Sequence, residues 1–313
     1  MSQKYAVVFP GQGSQSVGMM ADLHDNHQIV QDTFSEASDT LDFDLWTMIK
    51  DGPAESLNQT HNTQPAMLAS GVAVWRLMNE SGATQPEKLA GHSLGEYSAL
   101  VASGAMNFAD AVKLVAERGR LMQEAVPEGE GAMAAILGLE DDIVRDICTK
   151  AAESEVAEAV NYNSPGQVVI AGNRAAIDRA MGLAKEAGAK RALPLPVSAP
   201  SHCALMKPAA DKLSDSLANI SLSLPTIPVI HNVNVGTANT TDELASLLAQ
   251  QLYSPVRWVE TVQSFAADEI SLVVEAGPGK VLTGLCKRID RSINGMGIFD
   301  NASFEKFMET VNA

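Results

Sequence analysis

A serine and a histidine are the two residues of this sequence whose types and order could carry out covalent chemistry. Ser93 lies in the run GHSLG at residues 91–95, a GxSxG pattern that holds a nucleophilic serine on a sharp turn between a strand and a helix. A serine hydroxyl needs a general base. We assign that role to His202, which follows the serine in the chain, as the histidine does in α/β-hydrolase-like enzymes. His92 adjoins the nucleophile, but neighbouring side chains on a tight turn point apart.

Each of these two residues also has a simpler interpretation. A glycine-flanked serine occurs in ordinary turns, and a five-residue pattern alone is only a hypothesis. His202 also fits a histidine that merely joins two parts of the fold. The flanking segments favour catalysis, since the apolar run Lys88–Ala90 precedes the serine and a helix-forming segment, Glu96–Ala102, follows it.

A second polar turn, GQGSQ at residues 11–15, follows the apolar run Tyr5–Phe9, which is typical of a buried strand. Such turns at the carboxyl ends of strands are where α/β sheets contact ligands. The glycines lack the spacing of a dinucleotide loop, and the Lys-Ser/Thr ending of a P-loop is missing. We therefore expect backbone N–H groups here, with Gln12 the best-placed donor, to face a developing negative charge. A simple tight turn is the alternative.

The order of elements predicts an α/β fold in two parts. Residues 128–197 follow the order strand–helix–strand–strand–helix–strand, which is that of a ferredoxin-like subdomain (βαββαβ). The flanking segments, residues 1–127 and 198–313, predict an α/β-hydrolase-like large subdomain with a parallel sheet core. Within it we expect a helix that starts near Pro65 and a strand over Ile227–Asn232. In the last stretch, Asn294–Ala313, we expect only a short helix.

Composition excludes several classes of function. The chain has 313 residues, of which 46% are hydrophobic and 19% charged, and a formal net charge of −16. A strongly acidic protein is unsuited to binding nucleic acid, and an anionic substrate would need a locally positive patch. No apolar run could span a membrane and the first residues lack a signal-peptide plan, so we expect a cytoplasmic protein without membrane contact.

The three cysteines are widely spaced and outside any CxxC pattern, so we expect buried thiols and neither a disulfide framework nor a metal site. No bound cofactor is indicated. The three residues are Cys148, Cys203 and Cys286.

Seven short motifs occur in a fixed order from Tyr5 to about Arg288. They are FPGQGSQ (9–15), TQPA (63–66), GHSLGEY (91–97), ERG (117–119), NSPGQ (163–167), SH (201–202) and EAGPG (275–279). Together they resemble the malonyl-CoA:acyl carrier protein transacylases of type II fatty acid synthesis. The resemblance implies a ping-pong reaction, in which malonyl-CoA acylates a serine and the phosphopantetheine thiol of holo acyl carrier protein then takes the malonyl group.

The resemblance also assigns catalytic roles to five residues. Ser93 would be the nucleophile and His202 the general base and acid. The backbone N–H groups of Gln12 and Leu94 would form the oxyanion hole, and the backbone carbonyl of Gln251 would orient the histidine.

Arg118 would select the substrate, because a guanidinium binds a carboxylate through two hydrogen bonds and is always charged. Without the resemblance, an exposed helix arginine would be the simpler interpretation. Other polar or basic residues near the expected cleft are candidates for substrate binding: His92, Asn161, Asn163, Gln167, Lys190 and Arg191.

A positive rim is expected to steer the anionic CoA and carrier protein toward the cleft. Its members are the basic residues on the last strand predicted within residues 128–197 and those that follow the last predicted strand of the large subdomain: Lys190, Arg191, Lys280, Lys287, Arg288 and Arg291.

Two other classes of function use the same residues. A serine thioesterase or hydrolase acting on acyl-CoA would differ only in admitting water to the acyl-serine. A non-catalytic acyl-CoA sensor is disfavoured because Ser93, His202 and Arg118 are all present.

Overall fold

Two β-sheets organise the chain, and the computed structural model describes residues 4–197 and 199–312. One sheet has five parallel strands in the order β7-β2-β1-β8-β9, and the other has four antiparallel strands in the order β4-β5-β3-β6. The strands are β1 (Tyr5–Phe9), β2 (Lys88–Gly91), β3 (Gly131–Leu137), β4 (Ala157–Ser164), β5 (Gln167–Asn173), β6 (Arg191–Pro194), β7 (Val229–Ile230), β8 (Leu272–Ala276) and β9 (Asn294–Ile298).

Fourteen helices are present in the described residues. They are α1 (Ala21–Asn26), α2 (Gln28–Leu41), α3 (Leu45–Asp51), α4 (Ala54–Leu57), α5 (Thr60–Glu80), α6 (Gly95–Ala102), α7 (Phe108–Glu124), α8 (Asp141–Ala152), α9 (Arg174–Glu186), α10 (Lys207–Leu217), α11 (Thr241–Gln251), α12 (Trp258–Ala267), α13 (Val281–Ile289) and α14 (Asn301–Val311).

The parallel sheet is covered on both faces, as the continuous apolar run of β1 predicts. Successive side chains of a strand point to opposite faces. Tyr5, Val7 and Phe9 pack into a hydrophobic cluster with α2, α5 and α7. Ala6 and Val8 pack into a different cluster, with α12 and α13. All five side chains are buried.

The antiparallel sheet has one face against its own helices and one toward the rest of the chain. Ala134 and Ile136 of β3 pack against α8 and α9. Met133, on the opposite face, packs with Val160 and with Cys203, which lies beyond the sheet. Backbone hydrogen bonds between Val256 and β4 also join the two parts. The second sheet therefore lies beside the segment that contains His202.

Three predictions about single elements are wrong. The expected strand over Ile227–Asn232 is only the two-residue β7, because Nδ1 of His231 and the backbone N–H of Asn232 donate to the Glu96 carboxylate of α6 and not to a neighbouring strand. Residues Asn294–Ile298 form β9, which was not expected. The helix containing Pro65 begins five residues earlier, at Thr60.

Candidate active site

The nucleophile turn connects β2 to α6 and depends on two glycines that approach the neighbouring backbone closely. A Cβ atom on Gly91 would lie 1.8 Å from the carbonyl carbon of Gly95, and one on Gly95 would lie 2.0 Å from the carbonyl oxygen of Phe9. Ser93 itself has φ 51°, in the left-handed region that non-glycine residues seldom occupy. Its backbone N–H donates to Oδ1 of Asn232 over 2.8 Å. The turn thus holds the serine in a strained conformation that the surroundings fix.

Ser93 and His202 are in direct contact, although they are far apart in sequence. Nε2 of His202 lies 2.7 Å from Oγ of Ser93, and Nδ1 lies 2.7 Å from the backbone oxygen of Gln251. Because a carbonyl oxygen can only accept, Nδ1 carries the proton and Nε2 has a free lone pair. The hydroxyl therefore donates to Nε2, which is the geometry of a nucleophile and its base.

His202 is kept neutral by its surroundings. Burial lowers the pKa of its imidazole to about 3, and the positive charge of Arg118 contributes to the lowering. The side chain is only 2% exposed. At neutral pH the ring is therefore uncharged, and its Nε2 is able to take the serine proton.

Arg118 extends from α7 into the same space and is only 1% exposed. Its guanidinium donates to three uncharged groups: Nη1 to Oε1 of Gln64 over 2.8 Å, and Nη2 to Oε1 of Gln251 over 2.9 Å and to Oγ of Ser93 over 3.2 Å. The ring of Tyr97 also lies beneath it, with its centroid 5.3 Å from Cζ.

The guanidinium of Arg118 could bind an anion. Within residues 4–197 and 199–312 no ion pair includes Arg118, and its Nε has no hydrogen-bond partner there. A buried charge is costly when no carboxylate contacts it directly, and Glu96 acts on Arg118 only from a distance. An incoming carboxylate would supply the direct contact beside Ser93.

Most of the predicted site residues line one or both of two adjoining cavities. An inner cavity of about 100 Å³ contains Ser93, His202 and Arg118 and is also lined by Gln12, Leu94 and Asn161. A wider, outer cavity of about 500 Å³ shares Gln12 and Asn161 with the inner one and is also lined by the rest of the GQGSQ turn and by Asn163 and Gln167. The inner space suits a small acyl group, and the outer one suits a longer chain attached to it.

His92 lines both cavities. Its Nε2 lies 2.8 Å from Oδ1 of Asn163 on β4, and its ring packs against Trp258. Burial lowers the pKa of this imidazole, so the neutral ring donates from Nε2 to the asparagine oxygen. His92 thereby connects the nucleophile turn to the antiparallel sheet.

The basic residues predicted for the rim lie at different distances from this cleft. Nη1 of Arg288 donates to Oε1 of Gln167 over 3.0 Å, at the edge of the outer cavity. Lys280 lies 4.4 Å above the ring centroid of Phe299. Lys190 and Arg191 are exposed on and before β6 and are not among the residues that line the two cavities. Their part in substrate binding stays a prediction.

Four polar residues beneath the site were not predicted from the sequence. Gln64, Glu96, His231 and Asn232 are all at most 1% exposed and hydrogen-bonded to one another or to the reacting groups. Two of them lie inside motifs already singled out, TQPA and GHSLGEY. The sequence signal that could have identified them is a polar residue within a segment whose other residues are apolar.

The described residues contain no cluster of His, Cys, Asp and Glu that could hold a metal ion. Within them, no helix is long and apolar enough to cross a membrane. Cys148, Cys203 and Cys286 are buried and unpaired, and burial raises the pKa of each thiol to about 12. These thiols are therefore poor nucleophiles.

The similarity of this chain to known proteins defines it as an enzyme of the acyl-transferring class. The acyl transferase domain family matches residues 6–298. The chain is 56% identical, over 308 residues, to the malonyl CoA-acyl carrier protein transacylase of Haemophilus influenzae, covering 98% of this chain and 99% of that one. It is 44% identical over 309 residues to the Bacillus subtilis protein of that name, with 98% and 97% covered.

Solved structures agree with these relatives. An acyl carrier protein S-malonyltransferase from Vibrio cholerae superimposes with a TM-score of 0.95 at 56% identity, covering 97% of this chain and 99% of that one. A malonyl-transacylase in complex with its type II polyketide acyl-carrier protein gives 0.97 at 51% identity, with 98% and 99% covered. The chain therefore belongs to the acyl transferase family and, within it, to the malonyl CoA-acyl carrier protein transacylases.

Proposed function

We propose that this protein transfers the malonyl group of malonyl-CoA to the phosphopantetheine thiol of holo acyl carrier protein, in fatty acid biosynthesis. The observation that carries the proposal is the buried guanidinium of Arg118, which forms no ion pair within residues 4–197 and 199–312 and whose Nη2 lies 3.2 Å from Oγ of Ser93. A monocarboxylic acyl group would leave that charge without a partner. A malonyl group brings a carboxylate to it.

The first half-reaction forms a malonyl ester on Ser93. Oγ attacks the thioester carbonyl while its proton passes to Nε2 of His202, which is 2.7 Å away. The carbonyl oxygen becomes negative and is stabilised by the backbone N–H groups of Gln12 and Leu94. The carbon–sulfur bond then breaks, and the CoA sulfur leaves with the proton from His202.

The second half-reaction reverses these steps with a different thiol. The phosphopantetheine thiol gives its proton to Nε2 of His202 and attacks the ester carbonyl. The bond between the carbonyl carbon and Oγ breaks, and Ser93 regains the proton. The backbone oxygen of Gln251 accepts from Nδ1 throughout and stabilises the imidazolium that forms in each half.

Arg118 does more than hold the carboxylate in this scheme. Its charge is one cause of the low pKa of His202, and a bound carboxylate would neutralise much of its field. The imidazole would then become more basic when malonyl is in place. Binding of a dicarboxylic acyl group and activation of the base are thereby coupled.

The outer cleft is proposed to receive the pantetheine arm that CoA and the carrier protein share. Asn161, Asn163 and Gln167 offer hydrogen-bonding groups along it. Arg288, which contacts Gln167, supports a role for the end of α13 in attracting the anionic partners. We place Lys190, Arg191, Lys280, Lys287 and Arg291 in the same rim.

We further propose a division of the chain into two subdomains. Residues 1–127 and 198–313 would form an α/β-hydrolase-like unit, and residues 128–197 a ferredoxin-like unit. The strand order β4-β5-β3-β6 and the separate hydrophobic cluster of the insert support this division. A cytoplasmic location accords with a carrier-protein substrate.

The test is a transfer assay with malonyl-CoA and either holo or apo acyl carrier protein. We expect malonyl-carrier protein from the holo form alone, with free malonate accumulating far more slowly than the transfer product. Release of malonate at the same rate with and without carrier protein would instead indicate a thioesterase. The relatives' names support the transferase.

A further inference from the structure

A fully buried carboxylate, that of Glu96, lies beneath the reacting groups without touching any of their functional atoms. Glu96 is the second residue of α6 and is 0% exposed. Its oxygens accept three hydrogen bonds: from Nδ1 of His231 over 2.7 Å, from the backbone N–H of Asn232 over 2.9 Å and from Nε2 of Gln251 over 2.9 Å. All three partners are themselves fully buried.

Gln251 connects this carboxylate to all three groups of the proposed mechanism. Its Nε2 donates to Glu96 and also to the backbone oxygen of Ser93, over 3.0 Å. Its Oε1 accepts from Arg118, and its backbone oxygen accepts from His202. The carboxylate of Glu96 fixes the orientation of the Gln251 side-chain amide, because only the NH₂ group of an amide can donate to a carboxylate. The amide oxygen is therefore directed at the guanidinium.

Asn232 makes a second connection, to the backbone of the nucleophile turn. Its Oδ1 accepts from the N–H of Ser93 over 2.8 Å, and its Nδ2 donates to the oxygen of Gly91 over 2.7 Å. Its own backbone N–H is held by Glu96. Ser93, the strained residue of the turn, is thus held by a series of hydrogen bonds that runs through Asn232 to the carboxylate of Glu96.

We propose that Glu96 is a positioning residue for acyl transfer: through Gln251 and Asn232 its carboxylate sets the geometry of Ser93, His202 and Arg118. The inference rests on the proposed function. Three donors converge on Glu96, and a carboxylate can accept from all of them. A misplacement of about 1 Å at a reacting group can cost 100-fold in rate, so a residue that fixes three of them influences both rate and acyl preference.

The test compares Glu96→Met, which removes both oxygens at similar size, with Glu96→Gln. In Glu96→Gln the amide oxygen can still accept from Asn232 and Gln251. The amide NH₂ can donate to Nδ1 of His231 if that ring moves its proton to Nε2, an atom with no other hydrogen-bond partner in the described chain. We expect Glu96→Met to slow acylation of Ser93 by malonyl-CoA about 10- to 100-fold and to reduce the preference for malonyl over acetyl. Glu96→Gln should stay within about fivefold of the parent.

Glu275 provides a matched control. It is also 0% exposed, and its carboxylate accepts from the backbone N–H groups of Leu282 and Thr283, without contact to the reacting groups. Glu275→Met should lower the melting temperature but leave the ratio of malonyl to acetyl acylation unchanged. Burst acylation is followed by intact mass, with malonyl-CoA and acetyl-CoA at saturation.

Several outcomes would overturn the inference. The first is that Glu96→Met acylates Ser93 at the rate and with the malonyl preference of the parent. The second is that Glu275→Met changes the preference as much as Glu96→Met does. The third is that Glu96→Gln slows acylation as much as Glu96→Met, which would make the charge of Glu96 and not its position the cause. If Glu96→Met does not fold, Gln251→Met removes the connecting amide and keeps the carbonyl for His202. Unchanged acylation and preference in that variant would also overturn it. Failure of the parent to acylate would refute the proposed function instead.

Discussion

Nη2 of Arg118 lies 3.2 Å from Oγ of Ser93, so the group that would select the substrate is hydrogen-bonded to the group that would attack it. The guanidinium therefore lies in the space in which the proposed attack would take place. A malonyl carboxylate would compete for its donors and would leave the serine hydroxyl bonded to His202. Selection and attack would then be connected through one side chain.

Replacement of Arg118 by alanine should reverse the acyl preference. Loss of one partner of a buried charge pair typically costs about 2–5 kcal/mol, so malonyl acylation should fall by about 30-fold or more. Transfer of acetyl should be spared or increased, because no buried charge is then left unpaired. Arg118→Lys is the control that keeps the charge but loses the paired donors, and should lie between. Equal losses for malonyl and acetyl in Arg118→Ala would contradict the assignment.

The pH profile should lack the inflection of an ordinary histidine. Because burial lowers the pKa of His202 to about 3, the free enzyme keeps its neutral base as the pH falls through 6.5. We expect kcat/KM for acylation to be flat between about pH 5 and pH 8. As the pH is lowered, kcat should begin to decrease at a higher pH than kcat/KM. The reason is that bound malonyl offsets the charge of Arg118 and so raises the pKa of His202. An inflection of kcat/KM near pH 6.5 would be inconsistent with this base.

Charge reversal at the end of α13 should weaken the use of carrier protein. Lys287→Glu with Arg288→Glu should raise the KM for holo acyl carrier protein by about 3- to 30-fold at low salt and flatten its salt dependence. Lys150→Glu with Lys185→Glu, which reverses two exposed charges on α8 and α9, controls for the same change in net charge. An unchanged KM in the double variant would refute the rim.

Gly95→Ala should destabilise the whole protein and not only the site. The added Cβ would lie 2.0 Å from the carbonyl oxygen of Phe9 in β1, and such overpacking typically costs about 1–3 kcal/mol. Gly284→Ala is the control, since its Cβ would meet nothing within 4 Å, and alanine favours a helix by about 0.5–1 kcal/mol. Denaturant unfolding should show opposite signs for the two changes. Equal stabilities would mean that the turn relaxes.

Much of the fold was predictable where one local rule dominates. The run Tyr5–Phe9 is apolar on both faces, and it forms a strand with those bounds. The elements from β3 to β6, with α8 and α9 between them, also follow the order predicted for residues 128–197. The strand β9 was missed because its sequence, NGMGI, has two glycines and only one β-branched residue. Only its pairing with β8 makes it a strand.

The site divides in the same way. The sequence pointed to Ser93, His202 and Arg118 through motifs, and the structure brings their functional groups together. Glu96 was missed because an acidic residue in the first turn of a helix is ordinarily an exposed partner of the helix dipole. Its burial depends on His231 and Gln251, which are more than 130 residues away in sequence. Such convergence has no local signature.

The covalent step is tested most directly by intact-mass measurement of the protein shortly after mixing with malonyl-CoA. We predict one malonyl group per chain, mapped to Ser93 by peptide analysis, and removed on addition of holo acyl carrier protein. Ser93→Ala should remain unmodified under the same conditions. An unmodified parent, or a malonyl group that persists in Ser93→Ala, would contradict the central claim that this hydroxyl carries the acyl group.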